Sequence, residues 1–456
     1  MIRRFILAGT ILCISCAGFA QTANPNSSET TKKIFNYLKS LNKRESKRII
    51  SGQQMNAALE QAVSFDSSAG KIFKSTGKWV GLLGLNYQRT GLGLPSDLKA
   101  GNKLLIDHFN NGGLVTVMCS LSNPWNSTGN ANDTTNSYRL NELIFPGTLA
   151  YQKFHIQLDS IASGLKELKD SGVTVLLRLF QENNAPWFWW GSRSSTKPTG
   201  NEWIAIWIHC FNYLTVEKNL NNLLWVFSPS AKESSISNPS FKRDDFYYPG
   251  NQYVDILGVD VYNDTLDVPF YNTLKSYGKP LAVCEFGMSK QTAGKAKNYD
   301  YRIFLNQIKN KYPDFIYWMS WNDFTNQQNT IYYGMTNQNN VVDILNDAWV
   351  INRNEINWNV TAVEIDKLPL HYALEQNYPN PFNPETVIAY TLPARSFVSL
   401  KVYDLLGRQM AVLVDEDKRA GNYRVKFNGT DFSSGVYFYK LQTEKATSIK
   451  KMLLVK

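Results

Sequence analysis

Eight short, almost wholly apolar runs recur along most of the chain, at residues 48–51, 80–85, 114–120, 173–180, 223–227, 256–261, 280–285 and 315–320. A strand that is apolar on both faces needs cover on both. Such runs therefore belong to a parallel sheet with helical crossovers, not to a half-solvated antiparallel one. Between them, residues 151–169 set Phe154, Leu158, Ile161, Leu165 and Leu168 at helical spacing, and 202–214 and 301–309 look similar. Eight strand–helix repeats close a sheet on itself. The expected fold class is therefore α/β, a (β/α)8 TIM barrel whose active site lies at the C-terminal strand ends. A doubly wound open sheet is the alternative, but no glycine-rich phosphate turn follows the first run.

A chain of 456 residues is longer than one barrel of roughly 250–350 residues requires. Beyond Trp358 the pattern changes to alternating runs at 387–392, 398–403, 423–427 and 436–441, punctuated by Gly407, Gly421 and Ser434-Gly435. That pattern predicts a small all-β, immunoglobulin-like sandwich. At the other end, Arg3 and Arg4 precede an apolar stretch from Phe5 to Cys16, and small residues close it at Ala20. This reads as a cleaved signal peptide, with a lipoprotein anchor at Cys16 as the alternative. The expected division is 1–20 signal peptide, 30–358 catalytic barrel, 359–373 linker and 374–456 sandwich.

Cys119, Cys210 and Cys284 remain in the mature chain, an odd and dispersed set that predicts buried thiols rather than a disulfide framework. His108, His155, His209 and His371 show no ligand spacing with cysteines or acids, so no metal and no cofactor is expected. The formal charge of +10 is not gathered into a basic block, which argues against a nucleic-acid partner. The 12 Trp, 24 Tyr and 24 Phe fit aromatic core packing, and also fit a cleft in which flat rings meet the apolar faces of sugars.

Two acids stand where a charge is costly. Glu182 follows the run VTVLLRLF and Glu285 ends PLAVCE, at the ends of the fourth and seventh strands. Each alone could be a structural ion-pair partner. Together, at the mouth of one barrel, they suit glycoside hydrolysis, which needs two carboxyl groups flanking one bond.

The segment RLFQENNAPWFWWG (178–191) resembles the acid/base region of glycoside hydrolase family 26, a β-mannanase family, and AVCEFG (282–287) its nucleophile strand. SGQQ (51–54), GGLVTV with SNPW (112–125), LLWVFSP (223–229), YPGNQYVDILGVDVYN (248–263) and Trp321 in MSWND extend the resemblance in order over 30–349. The resemblance implies Glu182 as proton donor and acid/base and Glu285 as nucleophile, held by the Tyr262 hydroxyl. It implies Trp321 as the floor of the −1 subsite, and Arg178 beneath the acids as an orienting or structural group. Of the nearby tryptophans, Trp187 is expected to meet ligand and Trp190 to pack. Two positions depart from the family: Gln181 and Ser120 stand where its members usually carry histidine. Gln181 can still donate to a sugar 2-hydroxyl, but the change weakens the mannan assignment relative to β-1,3-xylan or mixed-linkage β-glucan.

The C-terminal region resembles a type IX secretion sorting domain through LEQNYPNPFNPETVIAYTLP (374–393), VSLKVYDLLGR (398–408), SGVYFYKL (434–441) and the terminal KKMLLVK. A spacer or sugar-binding module is the alternative. The resemblances together imply a secreted or surface-attached retaining endo-β-glycanase, in first place a β-1,4-mannanase, with a β-1,3-xylanase or mixed-linkage β-glucanase of the same family as the alternative. It would act on β-linked polysaccharide as a monomer, with the secretion machinery as its other partner. A carbohydrate-binding protein that has lost catalysis is the rival reading.

Overall fold

The computed structural model describes residues 21–41, 48–57, 65–88, 99–126, 128–137, 139–192, 198–232, 242, 246–326, 329–358, 372–393, 395–418 and 421–456. The expected signal peptide, most of the expected linker, and His371 lie outside them.

Eight parallel strands form one closed sheet. β1 runs in two pieces, Ile49–Ile50 and Gly52–Ala57, followed by β2 (Leu82–Gln88), β3 (Leu114–Ser120), β4 (Val175–Arg178), β5 (Leu223–Phe227), β6 (Ile256–Tyr262), β7 (Leu281–Gly287) and β8 (Phe315–Ser320). Each pairs with its successor. β8 pairs back to β1 through Ile50↔Tyr317 and Gln53↔Ser320, which closes the barrel. All residues of β3, β4, β5, β7 and β8 are buried, as strands covered on both faces require.

The principal helices of the barrel region are α1 (Glu29–Ser40), α2 (Ala69–Thr76), α3 (Lys99–Asn110), α4 (Leu149–Asp170), α5 (Gly200–Asn212), α6 (Tyr271–Ser276), α7 (Tyr301–Asn310) and α8 (Val341–Asn346). α4 buries the predicted face, Phe154, Leu158, Ile161, Leu165 and Leu168, and its first turn is capped by Thr148, whose hydroxyl accepts from Tyr151 N–H. α5 begins with a reciprocal cap between Thr199 and Glu202, which satisfies backbone donors that have no partner within the helix.

Seven C-terminal strands make two facing antiparallel sheets. Ala373–Leu374, Glu385–Leu392 and Gly421–Asn428 form one; Ser396–Tyr403, Gln409–Lys418, Gly435–Gln442 and Thr447–Leu454 form the other. Alternate residues such as Ile388, Tyr390, Leu400, Val402, Tyr439, Met452 and Leu454 fill the space between them. No described helix is long and apolar enough to cross a membrane. Cys119, Cys210 and Cys284 are buried and unpaired.

Candidate active site

β4 is shorter than the apolar run 173–180 suggests. Pairing stops at Met118↔Arg178 on one side and Leu177↔Trp225 on the other, and the chain then turns across the barrel mouth. Glu182 sits in this turn with φ of 51°, a left-handed conformation costing of order 1 kcal/mol for a side chain of this kind. Its N–H donates to the Ser228 carbonyl just beyond β5 (2.8 Å), which holds the turn to the neighbouring strand.

On β7 a register shift brings the second acid into place. Val259 lies opposite Val283, but the next pair is Asp260 with Glu285, so Cys284 is an extra residue. A strict alternation would send Cys284 and Glu285 to opposite faces. The bulge lets both face inward. The Cys284 sulfur lies over Gly258, where an added Cβ would come within 2.1 Å of it. Phe286 then points outward against Phe304 of α7, with ring centroids 4.4 Å apart. Gly287 clears a path for Tyr262 and Tyr333, either of whose rings would be 2.7 Å from a Cβ there.

An acceptor oxygen from each of Glu182, Asp260 and Glu285 lies within 4.8 Å of the other two, and all three residues are buried. These oxygens could hold a cation, and a guanidinium is already there. Arg178 donates through Nη1 to Glu285 Oε1 (3.0 Å) and the Cys284 carbonyl (3.2 Å), and through Nη2 to Asp260 Oδ2 (2.6 Å). Its Nε and Nη2 donate to Ser228 Oγ (3.1 and 3.0 Å). The other Glu285 oxygen accepts from the Tyr262 hydroxyl at 2.7 Å.

No hydrogen bond or ion pair joins Glu182 to Arg178. Glu182 Oε2 accepts from the Trp187 indole N–H at 2.5 Å, and the Lys232 ammonium sits 5.6 Å over the same indole ring. Burial, then the nearby Glu285 charge, pushes the Glu182 carboxyl up to about 8, against the opposing pull of the Trp187 N–H, Arg178 and Lys232. Burial also raises Asp260, opposed first by Arg178, and the flanking carboxylates raise the Tyr262 hydroxyl further after burial itself. The two glutamates thus sit side by side in different surroundings, one against a cation and a phenol, the other against an indole.

The remaining predicted residues are distributed around this pair. Trp187 is half-buried at the mouth, whereas Trp190 and Trp189 are buried in the aromatic core, each anchored by its indole N–H to the carbonyl of Gln181 or Leu121. Trp321 is half-buried beyond β8, held by its N–H to the Phe286 carbonyl (2.9 Å) and by its own carbonyl to Gln53 Nε2 (3.0 Å). Ser120 ends β3 and accepts from Asn86 Nδ2 at 3.1 Å. Gln181 is buried, with neither side-chain amide atom hydrogen-bonded. Asp260, Ser228 and Lys232 went unread in the sequence. Asp260 had a signal: it lies two residues before Tyr262 on β6 and so shares its face. Nothing local marked Lys232.

Residues 23–355 match the model of glycosyl hydrolase family 26, and 376–456 match the secretion system C-terminal sorting domain. The second match marks the chain for export to the cell surface or beyond. Among curated proteins, the chain is 32% identical over 363 residues to mannan endo-1,4-beta-mannosidase A and B of Caldalkalibacillus mannanilyticus, covering 78% of this chain and 66% of that one. It is 31% identical over 366 residues to mannan endo-1,4-beta-mannosidase of Bacillus subtilis, covering 78% and 94%. Among solved structures, the Bacillus subtilis mannanase BCman superposes with a TM-score of 0.66 at 28% identity, covering 75% of this chain and 97% of that one.

Proposed function

The chain belongs to glycosyl hydrolase family 26, and from that membership we propose that it is an exported endo-β-1,4-mannanase, acting as a monomer, with Glu285 as nucleophile and Glu182 as acid/base. The single observation that carries this reading is the approach of the two carboxyl groups. Their oxygens lie within 4.8 Å, consistent with the retaining separation of about 5–5.5 Å and short of the roughly 6.5–9.5 Å that admits a water in inverting enzymes.

Glu285 attacks the anomeric carbon. Arg178 and the Tyr262 hydroxyl hold its two oxygens, which fixes the carboxylate's plane before the sugar arrives. Glu182 begins protonated, as its raised pKa requires, and gives its proton to the leaving glycosidic oxygen. Because the indole N–H of Trp187 holds Oε2, Oε1 is the oxygen that carries the proton. The resulting Glu182 carboxylate then takes a proton from water, which displaces the sugar from Glu285 with net retention. Trp187 and Trp321, both half-buried at the mouth, offer apolar faces to the sugars on either side of the cleaved bond. Mannan as the substrate rests on what the matched relatives are named for.

Glu182→Gln and Glu285→Ala should each abolish turnover while leaving polysaccharide binding largely intact, and the wild type should release products of retained anomeric configuration by NMR. Full activity in either variant would sink the assignment. Reducing-sugar assays on glucomannan, galactomannan, β-1,3-xylan and mixed-linkage glucan test the substrate. Preference for either of the last two would move the enzyme to a different β-glycan without disturbing the carboxylate pair.

A further inference from the structure

His155 and His209 are 54 residues apart in sequence, and the fold brings them together on the outside of the barrel. His155 lies on α4 and His209 on α5, and their Nε2 atoms are 2.9 Å apart. The ring planes are inclined at 72°, so the imidazoles meet edge to edge rather than stacking. His155 Nδ1 is 2.9 Å from the Tyr151 carbonyl, which can only accept, so Nδ1 carries the proton and Nε2 presents its lone pair to His209. Tyr151 stacks on the same ring with centroids 3.7 Å apart and fixes its rotation.

A metal-binding histidine is oriented in the same way, with one ring nitrogen tied to a carbonyl, and here the other is aimed at the His209 ring. We propose that His155 and His209 form a site for one divalent transition-metal ion of the zinc, nickel or copper class. The ion takes an Nε2 from each ring and completes its coordination with water. Bonds of about 2.1 Å at a tetrahedral angle set the two nitrogens roughly 3.4 Å apart, so the rings need part by only about 0.5 Å. His209 shifts its proton from Nε2 to Nδ1, so the ion meets two neutral rings and no net proton is lost. Burial, then the neighbouring His155, holds His209 below the usual imidazole range. His209 is half-buried, which leaves a way in from solvent. The charges around the pair are mixed. Asp159 is bound by the Tyr213 hydroxyl and the Lys218 ammonium, each at 2.6 Å, while Glu217 acts on His209 from the turn after α5. The ion would tie together the helix that leads into β4 and the helix that follows the Glu182 turn.

The test is calorimetric titration of untagged full-length chain with NiCl2 and, separately, ZnCl2 at about pH 7.5, alongside thermal melts. One equivalent should bind and raise the melting temperature. His155→Ala and His209→Gln should each weaken binding at least tenfold. The glutamine keeps an N–H donor toward His155, so this second variant preserves the helix contact. Glu182→Gln should bind as the wild type does. The proposal fails if no saturable binding occurs below about 1 mM. It also fails if binding survives both histidine changes, or is lost in Glu182→Gln, because the ion then sits elsewhere, in the latter case among the three acids.

Discussion

Replacing Trp187 with Phe removes one hydrogen bond from Glu182 and leaves an aromatic ring where the indole was. The bond is short, 2.5 Å from Nε1 to Oε2, and an N–H donor favours the ionised carboxylate. It therefore works against the burial and the Glu285 charge that raise Glu182 to about 8. A hydrogen bond to a charged group contributes about 1.5–3 kcal/mol, and one pKa unit corresponds to about 1.4 kcal/mol. Complete loss would raise Glu182 by about 1–2 units. Trp187 is half-exposed, so water replaces part of the bond, and a rise of about 1 unit is the expected result. Because Glu182 must be protonated to act as acid, the alkaline limb of kcat/KM should move from about 8 toward about 9. The measurement is initial rates on a soluble β-glycan between about pH 4 and 10, since kcat/KM reports the free enzyme's ionisations. Weaker sugar stacking will lower the whole curve but not move its limb. A limb that stays put or moves to lower pH, in a variant that melts normally, would refute either Glu182 as the acid or Trp187 as the donor that tunes it.

Arg178→Met should destabilise the barrel by about 3–5 kcal/mol at neutral pH in denaturant titration, because Asp260 and Glu285 lose their shared buried cation. Gly258→Ala should destabilise by about 1–3 kcal/mol through overpacking against the Cys284 sulfur, and Cys284→Ala should restore part of that loss in the double variant. Glu182 also makes stability fall as pH rises. Between the usual carboxyl value of 4.5 and about 8 the folded side chain keeps a proton the unfolded one has lost, so thermal melts should decline through that window and level off above it. Glu182→Gln should flatten this part of the profile.

The barrel was legible because its strands are apolar throughout, and only a sheet covered on both faces tolerates that. The same simplicity hid the strand ends. The run 173–180 shows no break, yet β4 stops at Arg178, because a left-handed turn at Glu182 is a tertiary arrangement secured by the Ser228 carbonyl on another strand. The β7 bulge was equally silent, since AVCEFG has no glycine or proline at the irregular position. Glu285 could be singled out as an acid ending an apolar strand, but not the device that turns it inward. Asp260 was readable by counting in twos from Tyr262. The His155–His209 pair was not, because its spacing of 54 residues matches no local ligand pattern and only the packing of α4 against α5 creates it.

Charge counting around Arg178 ties these details to the division of labour between the acids. Three carboxyl groups crowd within 4.8 Å of one another, and one guanidinium stands among them. Two ionised carboxylates beside one cation leave a net charge of −1 in a buried place; a third would double it, at a cost that favours retaining a proton instead. Arg178 reaches Asp260 and Glu285 but not Glu182. Burial raises both Asp260 and Glu182, but at Asp260 the Arg178 cation is the first force opposing that rise, whereas at Glu182 the Glu285 charge comes before any opposing pull. On the proposed roles, the bulge at Cys284 is what would let one fold make both an acid and a nucleophile from the same residue type. Without it, Glu285 would face the helices, Arg178 would pair with Asp260 alone, and Glu182 would lose the neighbouring charge that helps keep it protonated.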